Sequence, residues 1–212
     1  MKESISGLYA ITPDEPDTAL LAEKVRLALA GGARAIQYRN KTAATNLKRT
    51  QCRALLKLCR SAAVPFIVND DLALALEIDA DGVHLGAEDG DLAAARKLLG
   101  KGRMLGASCY DRIGLALAAA QAGVDYVAFG SVFGSVTKPG AVRAPQTIFS
   151  RARKEVGLPL VAIGGITLQN AADVYAAGAD SLAVISALFD AADIAGSAAG
   201  FSRLHQQMQV QQ

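Results

Sequence analysis

A repeated pattern runs along the chain: an alanine-rich stretch with helical periodicity, a turn that contains glycine, and a short apolar run. Clear copies lie around 30–38, 81–85, 122–129 and 177–185. Glycine at the turn suits a helix that ends in the left-handed conformation. A continuously apolar run is typical of a parallel strand that is covered on both faces. The pattern therefore predicts repeated strand–helix units.

Eight strands are predicted, near 7–11, 34–38, 65–68, 81–85, 103–107, 125–130, 159–163 and 181–185. Helical patterns between them include 18–29, 45–60, 91–99, 112–122 and 167–176. Because the units are parallel and no second composition appears, we expect a closed α/β (β/α)8 TIM barrel rather than an open sheet. Residues 1–212 should form a single domain, with a glutamine-rich tail at about 202–212 that frays from the last helix.

Composition narrows the class of partner. The chain has 212 residues, 51% apolar and 20% charged, which is ordinary for a globular protein. Lys and Arg total 22 against 20 Asp and Glu, so we expect no general attraction to nucleic acid or membrane, and any anion site must be local. Three cysteines without metal-type spacing, and no evident signal peptide or bilayer-spanning stretch, predict a cytoplasmic protein with reduced thiols.

Polar residues sort to the two ends of the predicted barrel. Asp81, Asp125 and Asp180 precede their strands and are expected to be turn and cap residues on the face that stabilises such barrels. His84 lies within an apolar run and is interpreted as a hydrogen-bonded interior histidine. Cys109 has no neighbouring histidine in sequence, so a nucleophilic thiol is not expected.

The strand ends that face the chemistry in such barrels carry two candidate anion sites. Gly164-Gly165-Ile166-Thr167 leads into a helix and Ser186 opens the last one, which favours a phosphate bound by backbone N–H groups. The alternative is that the two glycines only make a tight turn.

The second candidate site combines three cations with two carboxylates. Arg39, Lys41 and Lys138 would lie near Asp70 and Asp89. Carboxylates alone would repel a diphosphate, and a diphosphate bound only by cations would leave the carboxylates without a role. The combination therefore favours a diphosphate bound together with Mg²⁺. Ion pairs on a solvated rim are the alternative. The adjacent residue 71 is a weaker candidate because it begins the next helix as a cap.

These motifs together resemble the thiamine phosphate synthase family over about residues 7–190. The matching phrases are Gln37-Tyr38-Arg39-Asn40-Lys41, Val68-Asn69-Asp70, Asp81-Gly82-Val83-His84-Leu85-Gly86, Gly106-Ala107-Ser108, Thr137-Lys138-Pro139, Ala162-Ile163-Gly164-Gly165-Ile166 and Val184-Ile185-Ser186. Each phrase is weak alone, whereas their order and spacing are specific.

The resemblance implies a transferase that joins a hydroxymethylpyrimidine diphosphate to a thiazole ethyl phosphate, with Mg²⁺ and release of diphosphate. It assigns the metal to Asp70 and Asp89, and catalysis to Lys138, Ser108, Arg39 and Lys41. It also implies these substrate-binding residues: Gln37 for the pyrimidine; Arg39, Lys41, Asn69 and Lys138 for the diphosphate; Ser108 near the reacting carbon; Ser135 and Thr137 on the thiazole side; Gly165, Ile185 and Ser186 for the thiazole phosphate. The expected partners are small molecules, and a homo-oligomer is left open.

Four positions depart from the family pattern. Ser131 and Gly134 stand where prolines are frequent, Ala87 where glutamine is common, and Tyr110 where histidine is frequent. These changes bear on loop rigidity and substrate positioning more than on the class of reaction.

Three other functions fit the same barrel less well. A thiazole tautomerase-like paralogue would need a histidine where Tyr110 stands and has no use for the cations and carboxylates together. A non-catalytic barrel that binds thiamine phosphate is suggested by the altered loop after the sixth strand. A sugar-phosphate isomerase lacks an evident acid–base pair here.

Overall fold

The computed structural model describes residues 5–134 and 143–210. Eight parallel strands close into a barrel in which each strand pairs with the next and the last pairs with the first. The strands are Gly7–Ile11 (β1), Ala35–Tyr38 (β2), Phe66–Asn69 (β3), Gly82–Leu85 (β4), Met104–Tyr110 (β5), Tyr126–Phe129 (β6), Leu160–Ile163 (β7) and Ser181–Val184 (β8). The predicted (β/α)8 barrel is therefore confirmed.

Helices follow every strand and cover the outside of the barrel. They are Thr18–Ala30 (α1), Thr45–Ser61 (α2), Leu72–Glu77 (α3), Leu92–Leu99 (α4), Ile113–Gln121 (α5), Thr147–Glu155 (α6), Ala171–Ala176 (α7), Ser186–Phe189 (α8) and Ile194–Val210 (α9). Asp17, Asp71 and Asp91 cap α1, α3 and α4 by accepting backbone N–H groups of the first turn. No helix in the described ranges is both long and apolar enough to cross a membrane.

Alternate strand residues divide the apolar core into two layers. Outward residues such as Leu8, Val83 and Val127 pack against the helices. Inward residues, among them Tyr9 and Tyr126, form a smaller cluster that fills the barrel. The interior is thus filled by side chains and carries two hydrogen-bonded tyrosine hydroxyls.

Three aspartates at the amino ends of the strands share one role. Asp81, Asp125 and Asp180 directly precede β4, β6 and β8, and each accepts the backbone N–H at or next to the start of the preceding odd-numbered strand. The Asp125 carboxylate also accepts from the Arg96 guanidinium at 2.5 Å, and Asp180 accepts from Arg153 at 2.6 Å. These contacts agree with the prediction of turn and cap residues on the stabilising face.

The prediction that the tail at about 202–212 frays from the last helix is wrong for residues 202–210, which the structure describes. Helix α9 continues to Val210, and His205 on it is buried against Tyr175, with ring centroids 5.4 Å apart. The Ser202 hydroxyl donates to the carbonyl oxygens of Gly31 and Gly32 at 3.2 and 3.0 Å. Polar residues in this helix therefore anchor it to the barrel, which glutamine content alone conceals.

Candidate active site

A cavity of about 640 Å³ opens at the carboxyl ends of the strands. It brings together most of the residues predicted from the sequence, namely Gln37, Arg39, Lys41, Asn69, Asp70, Asp89, Ser108, Gly165, Ile185 and Ser186. The remaining predicted residues, Ser135, Thr137 and Lys138, lie outside the described residues. Residues at or after the ends of six of the eight strands thus meet at one rim, as they do in such barrels.

The two rim cations after β2 are held in place by the loop after β1. The Arg39 guanidinium Nη1 lies 3.2 Å from Asp14 Oδ1, and the same oxygen accepts the Lys41 backbone N–H at 2.9 Å. The hydroxyl of Thr12 donates to the Arg39 carbonyl at 2.9 Å and accepts the Arg39 N–H at 2.8 Å. Arg39 is therefore fixed by its backbone, while the Lys41 side chain is 57% exposed and free to reach a ligand.

A buried amide supports the same loop from below. The Gln51 side chain on α2 accepts from the Tyr38 hydroxyl at 2.8 Å and from the Asn40 amide at 3.2 Å. Its own amide donates to the Glu15 carbonyl at 2.7 Å. This network joins both loops beneath the cations, and the sequence offered no motif that singles out Gln51.

The two carboxylates lie next to Arg39 and Lys41 on the same side of the rim. Asp70 follows β3 with φ 62°, a left-handed conformation that turns its side chain toward the cavity. Burial and the nearby Asp89 carboxylate raise the pKa of Asp70, and Lys41, whose Nζ lies 3.8 Å from Asp70 Oδ2, opposes that rise. Asp89 accepts the Gly86 N–H at 2.7 Å. Two carboxylates held this close form a site that favours a cation.

The metal prediction rests on these two side chains. Among the described residues, no group of three or more His, Cys, Asp or Glu side chains could hold a metal ion. A pair of carboxylates nevertheless suits Mg²⁺, which commonly uses one or two carboxylates together with substrate phosphates and water. Asp71 points elsewhere: its Oδ1 accepts the Leu74 N–H at 2.9 Å and caps α3, as predicted.

The inner wall of the cavity is a row of hydrogen-bonded side chains. His84 lies between Tyr126 and Ser108, with Nδ1 3.1 Å from the Tyr126 hydroxyl and Nε2 2.9 Å from Ser108 Oγ. The prediction of a hydrogen-bonded interior histidine is confirmed, and burial lowers the pKa of His84 to about 4. The Tyr9 hydroxyl lies 2.8 Å from the Tyr126 hydroxyl and accepts a hydrogen bond of the same length from Gln37 Nε2. Sequence reasoning missed both tyrosines, although polar-tipped rings at inward strand positions were a usable signal.

The candidate phosphate site lies where β7 and β8 end. Gly164 and Gly165 adopt φ of 101° and 64°, and the Asn170 amide donates to the Gly165 carbonyl at 3.0 Å. The Thr167 N–H donates to Asn170 Oδ1 at 2.8 Å, so α7 begins only at Ala171. The expectation that residues 164–167 run directly into a helix is therefore wrong, because Asn170 closes a turn in between. Ser186 opens α8, which precedes the last helix rather than being it.

Two conspicuous residues near the rim differ in access to the cavity. Cys109 belongs to β5 and is fully buried, and burial raises the pKa of its thiol to about 12, which makes it unsuitable as a nucleophile. Tyr110 lines the cavity with φ 53°.

At the altered loop after β6, the Ser131 hydroxyl donates to the Phe133 carbonyl at 2.5 Å, a contact that proline could not supply.

Fold and site define a class: a TIM-barrel enzyme with cations, a carboxylate pair and a glycine-rich turn around one cavity. Residues 8–188 match the family described as thiamine monophosphate synthase. The thiamine-phosphate synthase of Aromatoleum aromaticum is 57% identical over 200 residues, covering 94% of this chain and 96% of that protein. The thiamine-phosphate synthase of Methylobacillus flagellatus is 56% identical, covering 94% and 95%.

The chain belongs to the thiamine monophosphate synthase family. A solved thiamine phosphate pyrophosphorylase from Pyrococcus furiosus has a TM-score of 0.84 and 36% identity, covering 95% of this chain and 96% of that one. The predicted family and the predicted class of enzyme, a synthase-type transferase of thiamine biosynthesis, are confirmed.

Proposed function

We propose that the protein joins hydroxymethylpyrimidine diphosphate to thiazole ethyl phosphate, giving thiamine phosphate and diphosphate. The observation that carries this proposal is the convergence of Arg39, Lys41, Asp70 and Asp89 on one side of a cavity whose other side holds a glycine-rich turn. One ligand with a metal-bound diphosphate and a second with a single phosphate match these two sides.

The diphosphate would lie between the cations and the carboxylate pair. Arg39 is braced by Asp14 and Thr12 and presents a fixed guanidinium, whereas the exposed Lys41 side chain moves onto its ligand. Asn69 and Lys138 add a polar amide and a third cation. Together these residues bind the leaving group and neutralise its charge.

Asp70 and Asp89 would hold Mg²⁺, since their mutual repulsion is relieved by a divalent cation. When bound, Mg²⁺ supplies positive charge that stabilises the departing diphosphate. Removal of either carboxylate should therefore weaken the metal dependence of the reaction without harming the fold.

The pyrimidine would lie deeper, against Gln37 and Ser108. The bond from its exocyclic carbon to the diphosphate oxygen breaks, the oxygen keeps the electron pair, and the thiazole nitrogen lone pair forms the new carbon–nitrogen bond. The ring amino group donates electron density to the cationic carbon. Apolar walls at Ile11, Val161 and Ile163 exclude water that would otherwise trap that carbon.

The thiazole phosphate would bind at Gly165, Ile185 and Ser186, largely through backbone N–H groups. Ser135 and Thr137 would offer hydroxyls on the thiazole side. No strong base or covalent nucleophile is required, because the steps are departure of a stabilised leaving group and capture by a neutral nitrogen.

The deciding experiment is product formation from both substrates with and without Mg²⁺. Mg²⁺-dependent release of thiamine phosphate and diphosphate supports the proposal; binding of either substrate without product would contradict it. Asp70→Ala and Asp89→Ala should each lower Mg²⁺-dependent turnover while the protein stays folded. If both variants keep full activity, the metal assignment is wrong.

The two anion sites can be separated by substrate. Lys138→Ala should raise the KM for the pyrimidine diphosphate more than the KM for the thiazole phosphate. Obstruction of the other site by Ser186→Glu should do the reverse, since a carboxylate there repels phosphate. The opposite pattern would mean that the sites are exchanged. A cytoplasmic location is also proposed, supported by three buried, unpaired cysteines.

A further inference from the structure

Five side chains inside the barrel form one unbroken row of hydrogen bonds. Gln37 Nε2 lies 2.8 Å from the Tyr9 hydroxyl, which lies 2.8 Å from the Tyr126 hydroxyl. The row continues 3.1 Å to His84 Nδ1 and, from Nε2, 2.9 Å to Ser108 Oγ. The side chains come from five different strands, and both ends of the row border the cavity.

Each middle member of this row carries a single proton. A tyrosine hydroxyl donates once, and a neutral imidazole has one N–H and one acceptor nitrogen. Both ring nitrogens of His84 face neutral hydroxyls, so the ring needs only one N–H and one acceptor nitrogen. Burial raises the pKa of Tyr9 and Tyr126, which keeps both hydroxyls protonated. A fully satisfied row therefore has only two arrangements, with all donors pointing one way or all pointing the other.

The orientation of Gln37 selects one arrangement. Its Nε2 donates to Tyr9, so Tyr9 donates to Tyr126, and Tyr126 donates to His84 Nδ1. His84 is then the Nε2–H tautomer and donates to Ser108, whose own proton points into the cavity. At the other end Gln37 keeps Oε1 and a second N–H for a ligand.

We propose that Tyr9, Tyr126 and His84 are positioning residues that fix the donor–acceptor pattern of Gln37, so that the cavity accepts a 4-aminopyrimidine and rejects its 4-oxo counterpart. This inference rests on the proposed pyrimidine substrate. An aminopyrimidine edge presents an N–H donor beside a ring-nitrogen acceptor, which pairs with Gln37 Oε1 and the second Nε2–H. The 4-oxo ring presents the reverse pattern, an acceptor beside an N–H donor.

Selectivity for the 4-amino ring follows because the Gln37 side-chain amide cannot flip independently of the rest of the row. If its oxygen faced Tyr9, every hydrogen bond in the row would have to reverse and His84 would have to change tautomer. Without that reversal, two acceptor oxygens would face each other at one link of the buried row, and the lost hydrogen bond is costly there. The row thus couples the amide at one end to the hydroxyl at the other.

Tyr126→Phe cuts the row at its centre and keeps the ring. Binding of the 4-amino and 4-oxo hydroxymethylpyrimidine diphosphates is measured by calorimetry with Mg²⁺, so the result does not depend on turnover. We expect the ratio of the two affinities to fall at least about tenfold, because a freed Gln37 can adopt either orientation. Tyr175→Phe, which removes a buried hydroxyl outside the barrel interior, is the matched control and should keep the wild-type ratio.

The tautomer of His84 gives a readout that a purely structural role would not move. The chain has two histidines, so a His205→Asn variant assigns the nitrogen-15 signals of His84. The wild type should show Nε2–H with an unprotonated Nδ1, and Tyr126→Phe should shift the ring toward a mixture. A wild-type Nδ1–H tautomer would overturn the proposed polarity.

Tyr9→Phe cuts the row one bond nearer Gln37 and replaces Tyr126→Phe if that variant does not fold. An affinity ratio and a His84 tautomer that stay as in the wild type in the folded variant would overturn the inference. Failure of the proposed function is a different result: the wild type would release no thiamine phosphate, whatever the variants do to binding.

Discussion

Removal of the Asp125 carboxylate tests whether the amino-terminal face of the barrel serves stability alone. Its Oδ2 accepts the Leu105 backbone N–H at 2.8 Å and the Arg96 guanidinium at 2.5 Å. Asp125→Ala leaves the Leu105 N–H without this acceptor, which costs about 1–3 kcal/mol. Loss of the partly exposed ion pair adds up to about 1 kcal/mol. The free energy of unfolding should therefore fall by about 1–4 kcal/mol.

Thermal denaturation followed by circular dichroism measures this loss, which corresponds to roughly 5–10 °C in Tm for the middle of the range. Asp125→Asn keeps an oxygen for Leu105 and should lose only the smaller part. Asp190→Ala, at an exposed position, controls for the change in charge. Turnover at 25 °C should stay within about twofold in all three. An unchanged Tm in Asp125→Ala, or lost turnover in the folded variant, would refute the division of roles between the two ends of the barrel.

Three further outcomes are expected. Asp70→Asn should keep or raise Tm, since burial and the adjacent aspartate raise the pKa of Asp70 and disfavour its charged form, whereas Mg²⁺-dependent turnover should fall at least about tenfold; a lower Tm would contradict this. Gly106→Ala would place a Cβ 2.1 Å from Tyr126 Cζ, so urea titration should show about 1–3 kcal/mol lost, while Gly102→Ala, with open space around it, should lose less. Well above pH 6.5, His84 is neutral in both the folded and the unfolded chain. As the pH falls from 6.5 toward the folded pKa of about 4, only the unfolded chain gains the proton, so the free energy of unfolding should drop by about 3 kcal/mol. Urea titrations of His84→Asn should show that this pH dependence is lost.

The periodic part of the fold could be predicted from the sequence because it rests on local rules. Apolar runs and glycine turns located all eight strands within a few residues of their observed bounds. The rim residues could also be sorted, since parallel strands bring their carboxyl ends together. Asp71 illustrates the reach of such reasoning: its position alone indicated a cap, and the Leu74 N–H contact agrees.

Contacts between distant strands could not be predicted in the same way. The Tyr9–Tyr126 hydrogen bond joins residues 117 positions apart, and no local pattern pairs two tyrosines across a barrel. Gln51 likewise supports the Arg39 loop through bonds that depend on how α2 packs. The start of α7 was placed too early because Asn170 closes a side-chain turn, and turns of that kind depend on three-dimensional geometry.

The seam of the barrel has a consequence for synthesis of the chain. Seven strand pairings join consecutive strands, but β1 pairs with β8 and α9 packs on α1 and β1. A nascent chain that has emerged only as far as β7 holds β1 with one edge unpaired, which is a template for aggregation. Closure must wait until β8 has left the ribosome. A slow stretch of translation late in the message would therefore expose this edge for longer than one placed early.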